Sequence, residues 1–169
     1  QVADQEIVYG DGSRDQRRVL LLNEGQALHS VYRLKYRETG DPLDLLTDGG
    51  PWDYFAVAPY VYPEMAPEDV RSLALLGSAA GSIPKQFLAI YGPETRIDAV
   101  EIDPAIIGLG RRYFDLEDQD PAFPNYTTYA QDARYWLAGA DARYDVIGMD
   151  AYHQPYIPFH LNTVEFFSE

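Results

Sequence analysis

The sequence predicts an α/β fold, a doubly wound and mostly parallel sheet preceded by a small N-terminal β-domain. Two observations carry this prediction. Short apolar segments that suit strands alternate with helix-length segments over residues 73–149. The first apolar segment ends in a turn of small residues, and the second ends in an acid about twenty residues beyond that turn, which is the layout of a nucleoside-binding βαβ unit.

Residues 1–50 predict a small β-hairpin domain followed by a loop. Two apolar segments flank a Gly-Asp-Gly-Ser turn at residues 10–13, and a second turn is expected at Glu24-Gly25. Residues 36–51 are rich in Gly, Asp, Pro and Thr, which favours a loop. The stretch 52–62 is aromatic and apolar enough to predict a buried helix, and Pro63 and Pro67 are expected to end it.

Residues 51–169 are expected to form the second domain, which holds the parallel sheet. Strands are predicted at 73–76, 97–102, 126–130 and 145–149, and helices at 83–91, 104–113 and 133–138. This order implies right-handed crossovers. Since the sequence stops soon after the fourth strand, we expect a piece of a longer protein whose later strands are absent. The fourth strand would then be an exposed edge, which favours a homo-oligomer or pairing with the rest of the parent protein.

Composition limits the possible functions. Hydrophobic residues make up 46% of the chain and charged residues 24%, as in a compact folded domain. With no cysteine, thiolate chemistry is excluded. The net charge of −14 argues against nucleic acid as a partner and favours a cationic or neutral substrate, unless it reflects a solvated acidic surface. No stretch reaches the roughly twenty apolar residues of a membrane span, so a membrane segment is expected only in a longer parent protein. The expected location is the cytoplasm.

The candidate site lies at the carboxyl ends of the predicted strands, where ligands bind in open α/β sheets. Gly77, Ala79 and Gly81 form a turn with little side chain, so a ligand can approach the backbone and the next helix. Small residues also occur where a helix merely packs closely on a strand. Glu101, followed by Asp103, stands at the end of the second strand, where a carboxylate can accept hydrogen bonds from both ribose hydroxyls.

Two more acids follow the third and fourth strands. Asp132 could accept a hydrogen bond from an exocyclic amine such as that of adenine, or it could cap the helix that begins at Ala133. Asp150 follows a strand apolar enough to be central, so partial desolvation would raise its pKa toward that of a general base. Alternatively, Asp150 is a turn-forming residue bonded to nearby backbone.

Histidines and tyrosines supply further candidates. Tyr54 and Tyr152 could flank a substrate, and His153 could be a pH-sensitive substrate contact. His153 and His160 match no familiar metal-ligand spacing, so no metal is expected. His29 is either a β-domain residue with a satisfied hydrogen bond or part of the pocket wall.

Several runs of the sequence resemble the spermidine synthase family, and more narrowly its prokaryotic spermidine synthase-like branch, some members of which are fused to membrane segments. The resemblance covers residue 19 to the end and is most specific over 150–167. It is carried by Leu-Leu-Gly-Ser-Ala-Ala-Gly-Ser, Val-Glu-Ile-Asp-Pro, Gln-Asp-Ala-Arg, Tyr-Asp-Val-Ile-Gly-Met-Asp-Ala-Tyr and Ile-Pro-Phe-His-Leu-Asn-Thr-Val-Glu-Phe-Phe.

This resemblance implies a methyltransferase-type Rossmann fold that binds decarboxylated S-adenosylmethionine and transfers its aminopropyl group to a polyamine acceptor such as putrescine, without a metal. By position, the turn from Gly77 to Gly81 would face the methionine-derived part of the cosubstrate. Glu101 would bind the ribose and Asp132 the adenine amine, and Asp150 would be the catalytic carboxylate.

Departures from the family pattern leave alternatives open. The turn lacks the acid that the family places there, and His153 replaces a second acid after the fourth strand, so the diamine site is largely unrecognisable. An S-adenosylmethionine-dependent methyltransferase is therefore the first alternative to aminopropyl transfer. The second is a non-catalytic nucleoside-binding module that has lost the diamine site.

Overall fold

The computed structural model describes residues 1–22, 27–118, 120–152 and 156–168. The strands of these segments are β1 (Val2–Val8), β2 (Arg14–Leu22), β3 (Ala27–Arg33), β4 (Ser72–Leu76), β5 (Arg96–Glu101), β6 (Tyr126–Ala130) and β7 (Val146–Met149). The α-helices are α1 (Tyr36–Thr39), α2 (Pro51–Val57), α3 (Ser82–Tyr91), α4 (Pro104–Tyr113) and α5 (Ala133–Ala138). Short 3-10 turns lie at Pro42–Leu45, Ala58–Val61, Pro67–Asp69, Phe159–Leu161 and Phe166–Ser168.

The N-terminal sheet is antiparallel, with strand order β1-β2-β3. The predicted hairpin is present: β1 and β2 pair from Val2↔Leu20 to Val8↔Arg14 around the turn at 10–13. Between β2 and β3 the register shifts, because Leu20 pairs with Ser30 while Leu21 pairs with Leu28. The turn predicted at Glu24-Gly25 lies outside the described residues.

The connection between the sheets departs from the prediction. The expected loop 36–51 contains α1 and a 3-10 turn that begins with a proline. Asp41 caps this turn, because its side chain accepts a hydrogen bond from Leu43 N–H. The helix expected over 52–62 ends at Val57, because Pro59 cannot continue the α-helical hydrogen bonding. The stretch 52–62 is also only partly buried, since Trp52 packs in the core while Val61 is 75% exposed.

The second sheet is parallel, with strand order β6-β5-β4-β7. Its strands and its three helices begin and end within one residue of the predicted positions. Leu73 and Leu75 pack with Phe87 of α3 on one face, whereas Leu76 packs with Ala133 of α5 on the other. Because successive strand residues point to opposite faces, helices cover both sides, and the predicted doubly wound sheet is confirmed.

The strand order places a switch point between β4 and β7, because the chain runs outward from β4 to β6 and then returns to the other side of β4. In the part of the chain that the structure describes, β7 pairs with β4 alone and is therefore an edge, as predicted. No helix of these segments is long and apolar enough to cross a bilayer.

Buried hydrogen bonds hold the N-terminal sheet against the first turn of α3. Ser82 Oγ accepts a hydrogen bond from Val31 N–H (2.6 Å) and donates one to Val31 carbonyl (2.9 Å). Ser30 Oγ accepts a hydrogen bond from Ala80 N–H at 2.9 Å. The strand β3 is therefore fixed directly beside the small-residue turn, where the candidate site begins.

Candidate active site

A cavity of about 370 Å³ lies at the carboxyl ends of the parallel strands, next to the switch point. Its floor comes from the ends of β4 and β5 and its walls from α4, α5, the segment after β7 and the N-terminal sheet. The described lining residues are Leu22, His29, Gly77, Ala79, Val100, Glu101, Ile102, Asp103, Ile106, Gln131, Asp132, Ala133, Asp150, Ala151, Tyr152, Pro158, His160 and Leu161.

Glycine is required at the start of the turn after β4. Gly77 has φ +88°, and a Cβ there would lie 2.5 Å from the backbone of Ala151, so any side chain would clash with the residue after Asp150. Ala79 also has a positive φ, +45°, and lines the cavity with Gly77. Gly81 caps α3 with φ +98° and packs against Leu116, and it is not part of the cavity lining.

Glu101 links this turn to the end of β5. One carboxylate oxygen accepts a hydrogen bond from Ala79 N–H at 3.0 Å, and the other accepts one from Asp103 N–H at 3.1 Å. Burial raises the pKa of Glu101, and these backbone donors oppose that shift. Because each carboxylate oxygen can accept two hydrogen bonds, Glu101 retains acceptor capacity toward the cavity. Asp103 is exposed at the rim and caps α4 through Ala105 N–H.

Asp132 caps α5, which is one of the two roles predicted for it. Its Oδ1 accepts hydrogen bonds from the N–H groups of Arg134 (3.0 Å) and Tyr135 (3.1 Å). Its Oδ2 lies 3.0 Å from His160 Nε2, a contact that the sequence did not predict. Burial tends to raise the pKa of Asp132, but the hydrogen bonds from Tyr135 and His160 lower it overall.

Asp150 follows β7 and faces the cavity. Its N–H donates to Leu76 carbonyl at 2.8 Å, which extends the β4–β7 ladder by one residue. Asp150 is exposed at the cavity, yet the protein around its carboxylate desolvates it and raises its pKa to about 6. No hydrogen bond between described residues is accepted by this carboxylate. Residues 153–155 lie outside the described segments, so the turn-forming alternative stays a prediction.

Of the remaining predicted residues, some line the cavity and others do not. Tyr152 lines the cavity with an exposed ring. Tyr54 does not: it is 65% exposed on α2, because this helix turns Trp52 and Ala56 toward the core and Tyr54 toward solvent. His153 lies outside the described residues. His29 lines the cavity, and burial lowers its pKa.

Sequence reasoning missed the apolar wall of the cavity. Ile102 lies between β5 and α4, and Ile106 lies in the first turn of α4. Leu161 comes from the turn after β7, and Leu22 from the N-terminal sheet. Residues of this kind carry no local signal for a site, because a binding wall and a core position have the same side chains. Only the tertiary arrangement distinguishes the two.

The charge of the cavity is one-sided. Four carboxylates (Glu101, Asp103, Asp132 and Asp150) and two histidines (His29 and His160) line it, and none of its described lining residues is Lys or Arg. A cleft lined by one sign of charge concentrates ligands of the other sign. The site therefore favours a cationic ligand. No group of three or more metal-ligating side chains occurs in the segments that the structure describes.

Solved structures define the class of fold. A probable spermidine synthase from Corynebacterium glutamicum superimposes with a TM-score of 0.65 at 21% identity, over 90% of this chain and 55% of that one. Human methyltransferase-like protein 13, in complex with SAH, gives a TM-score of 0.54 at 26% identity, over 67% of this chain and 55% of the other. The chain thus has the methyltransferase-type Rossmann fold preceded by a small β-domain, as predicted.

Curated relatives narrow the class. No protein-family profile matches the chain. It is 41% identical to a probable polyamine aminopropyl transferase of Bifidobacterium longum over 101 residues, which are 60% of this chain and 21% of that protein. It is 35% identical to a polyamine aminopropyltransferase of Vibrio vulnificus over 127 residues, 70% of this chain and 40% of the relative. The chain spans less than half the length of these relatives. The chain is spermidine synthase-like, which confirms the resemblance stated from its sequence. The names of these relatives support a transferase.

Proposed function

We propose that this chain carries the site of an aminopropyltransferase, which transfers the aminopropyl group of decarboxylated S-adenosylmethionine to a small-molecule amine. The cavity charge carries the proposal: four carboxylates line it, with no Lys or Arg among its described lining residues. Decarboxylated S-adenosylmethionine bears two positive charges, on its sulfonium and its ammonium. S-adenosylmethionine adds a carboxylate, which these residues would repel.

The nucleoside half of the cosubstrate fits the inner part of the cavity. In this proposal Glu101 accepts hydrogen bonds from the ribose hydroxyls, because it is buried, oriented by two backbone N–H groups and keeps free acceptor capacity. Asp132 accepts a hydrogen bond from the adenine amine. The apolar side chains of Ile102, Ile106 and Leu161 enclose the base.

The transfer requires a neutral amine nucleophile. In the proposed step Asp150 accepts the proton of the acceptor amine as its nitrogen attacks the carbon bonded to the sulfonium. A C–N bond forms, the C–S bond breaks, and its electron pair neutralises the sulfur, which leaves methylthioadenosine. Asp150 suits this step because its carboxylate has no cation partner in the described residues and its raised pKa makes it a better base than an ordinary aspartate.

Methyl transfer from S-adenosylmethionine is the second candidate. The specific observation in its favour is the turn after β4, where Ala79 and Ala80 offer no carboxylate to hold an aminopropyl ammonium. The similarity to a methyltransferase structure in complex with SAH agrees with this alternative. In that case Asp150 would still serve as the proton acceptor.

Calorimetric titration with decarboxylated S-adenosylmethionine, S-adenosylmethionine and methylthioadenosine tests the proposal, followed by turnover assays with a panel of diamines. We expect tighter binding of the decarboxylated form, and weaker binding of all three ligands by Glu101→Ala. Preference for S-adenosylmethionine would favour methyl transfer. Binding without turnover would identify a non-catalytic nucleoside-binding module, and absence of binding would contradict the proposal.

The assembly and location remain predictions that belong to this proposal. We propose a homo-oligomeric, cytoplasmic enzyme whose partner is its small-molecule amine. The edge strand β7 supports association, because Ile147 on this strand is 56% exposed. Sedimentation velocity measures the oligomeric state, and a monomer at micromolar concentration would contradict this part of the proposal.

A further inference from the structure

A contact between two cavity side chains joins the start of α5 to the 3-10 turn after β7. His160 Nε2 lies 3.0 Å from Asp132 Oδ2, and both residues line the cavity. Against the effect of burial, its hydrogen bonds lower the pKa of Asp132, so this carboxylate is ionised near pH 7 and can only accept hydrogen bonds. We therefore assign the hydrogen atom of this contact to Nε2 of His160, which makes His160 the donor.

Other contacts hold His160 beside this carboxylate. The backbone carbonyl of His160 accepts a hydrogen bond from Arg134 Nη1 at 3.1 Å. The next residue, Leu161, is buried in the same apolar cluster as Ala133 of α5. The backbone of the 3-10 turn is thus anchored to α5 by a polar and an apolar contact. The imidazole therefore has a fixed support at the point where it donates to Asp132.

The carboxylate of Asp132 has one acceptor position left. A carboxylate offers about four such positions, two on each oxygen. Oδ1 uses both of its positions for the N–H groups of Arg134 and Tyr135, and Oδ2 uses one of its positions for His160. With 39% of its side chain exposed, Asp132 is accessible to a ligand in the cavity that it lines. The remaining position on Oδ2 suits a ligand that presents one N–H group.

We propose that His160 is a positioning residue of the nucleobase subsite, which holds Asp132 Oδ2 in place to accept a hydrogen bond from the amine of adenine. This assignment rests on the proposed function, which gives Asp132 the adenine amine. The hydrogen bonds of the helix cap fix Oδ1, whereas His160 fixes Oδ2. A group that is fixed before the ligand arrives loses less conformational entropy on binding. His160 thereby favours a base that carries the amine over a base that lacks it.

Two ligands that differ only at the amine test this role. They are methylthioadenosine and its 6-deamino analogue, in which hydrogen replaces the amine. For the wild type we expect the amine to lower the Kd at least about tenfold, the lower range for a hydrogen bond to a charged group.

His160→Phe keeps a ring in the cavity wall and removes the donor. We expect the Kd of methylthioadenosine to rise about threefold to tenfold in this variant, the range for one side chain that must be immobilised on binding. The Kd of the 6-deamino analogue should change less than about twofold, because this ligand makes no hydrogen bond to the carboxylate. His160→Gln, whose side chain keeps an N–H donor, should recover part of the loss.

An Asp132→Ala background isolates the route through the carboxylate. In that background His160→Phe should change the Kd of methylthioadenosine less than about twofold, because no carboxylate is left to position. Asn162→Ala is the matched control next to the same 3-10 turn, because Asn162 is exposed and does not line the cavity. We expect this control to leave both affinities unchanged.

The possible failures are distinguishable. If His160→Phe weakens both ligands equally, or still weakens methylthioadenosine in the Asp132→Ala background, the ring only packs in the wall and the assignment is overturned. Unchanged affinity of His160→Phe for methylthioadenosine also overturns it, as does a wild type that binds both ligands equally. Preference of the wild type for S-adenosylmethionine over its decarboxylated form would overturn the proposed function alone, because both cosubstrates carry adenine. A wild type that binds none of these nucleosides would overturn both.

Discussion

His160 Nε2 lies 3.0 Å from Asp132 Oδ2, and this contact joins the start of α5 to the 3-10 turn after β7. The residues are 28 positions apart in the sequence. Because Asp132 Oδ1 already caps α5, the carboxylate is oriented from both sides before any ligand binds. The pair therefore gives the cavity a preformed hydrogen-bond acceptor.

Asp132→Ala should destabilise the protein by about 1 kcal/mol, the typical cost of losing an N-cap. Asp132→Asn is the matched variant, because Asn caps a helix as well as Asp does and it removes only the charge. We expect urea denaturation at pH 7 to rank stability as wild type, then Asp132→Asn, then Asp132→Ala. Equal stability of all three proteins would contradict the capping role.

The charge of Asp132 has its own pH dependence. The folded state lowers the pKa of Asp132, so ionisation of this group stabilises the fold above its ordinary pKa of 3.8, and the contribution is lost as the pH falls through the lower folded value. The stability difference between wild type and Asp132→Asn should therefore shrink below about pH 4. Denaturation of both proteins from pH 7 to pH 3 measures it, and a difference that is constant with pH would contradict this reasoning.

The elements and the acidic strand ends could be predicted because their signals are local. The apolar run before Gly77 and the proline at position 104 define their strand and helix without tertiary information. The parallel order then brings the ends of neighbouring strands to one edge of the sheet, which is why Glu101 and Asp150 line the same cavity.

The parts that could not be predicted depend on contacts between distant segments. His29 lies at the register shift between β2 and β3 and lines the cavity, and neither the shift nor the hydrogen bond from Ala80 N–H to Ser30 Oγ has a sequence signal. The inward face of α2 was also ambiguous, since an aromatic run offers several faces to a core. The sequence therefore could not place Tyr54, which was predicted to flank the substrate. Tyr54 lies exposed on the side of α2 opposite Trp52 and Ala56.

Asp150→Asn should reduce turnover at least about a hundredfold, the lower range for removal of a general base, with little change in cosubstrate affinity. Asparagine keeps the size of the side chain but cannot accept a proton at a carboxylate. Asp141→Asn is a suitable control, because Asp141 is exposed and lies outside this cavity. Product formation by chromatography and calorimetric Kd values provide the two readouts, and turnover by Asp150→Asn near the wild-type rate would exclude the assigned role.

The rate of the wild-type enzyme should fall as the pH drops below about 6, because desolvation raises the pKa of Asp150 to about 6 and its protonated form accepts no proton. Well below that pH, the rate should fall about tenfold per pH unit. A pH–rate profile with saturating substrates measures the inflection. An inflection that persists unchanged in Asp150→Glu and Asp141→Asn would assign it to another group.

The carboxylate of Asp150 should lower the stability of the ligand-free protein at neutral pH. A carboxyl whose folded pKa is raised contributes stability below its ordinary pKa of 3.8 and loses that contribution as the pH rises through about 6. Asp150→Asn should accordingly melt at a higher temperature than wild type at pH 7.5, and the difference should vanish near pH 3. Differential scanning calorimetry at the two pH values tests the sign, and an Asp150→Asn protein less stable at pH 7.5 would contradict it.

Gly77→Ala should damage the site through the backbone. The left-handed φ of +88° and a Cβ 2.5 Å from Ala151 would force the turn after β4 away from the residue that follows Asp150. We expect a loss of about 1–3 kcal/mol in unfolding free energy and weaker binding of methylthioadenosine. Gly108→Ala is the matched control, because a Cβ on Gly108 meets open space on α4, where alanine favours the helix by up to about 1 kcal/mol. In urea denaturation we expect Gly77→Ala to lower the unfolding free energy and Gly108→Ala to raise it. A Gly77→Ala protein as stable as Gly108→Ala would show that the turn tolerates a side chain and that the close approach of Gly77 to Ala151 does not define the cavity.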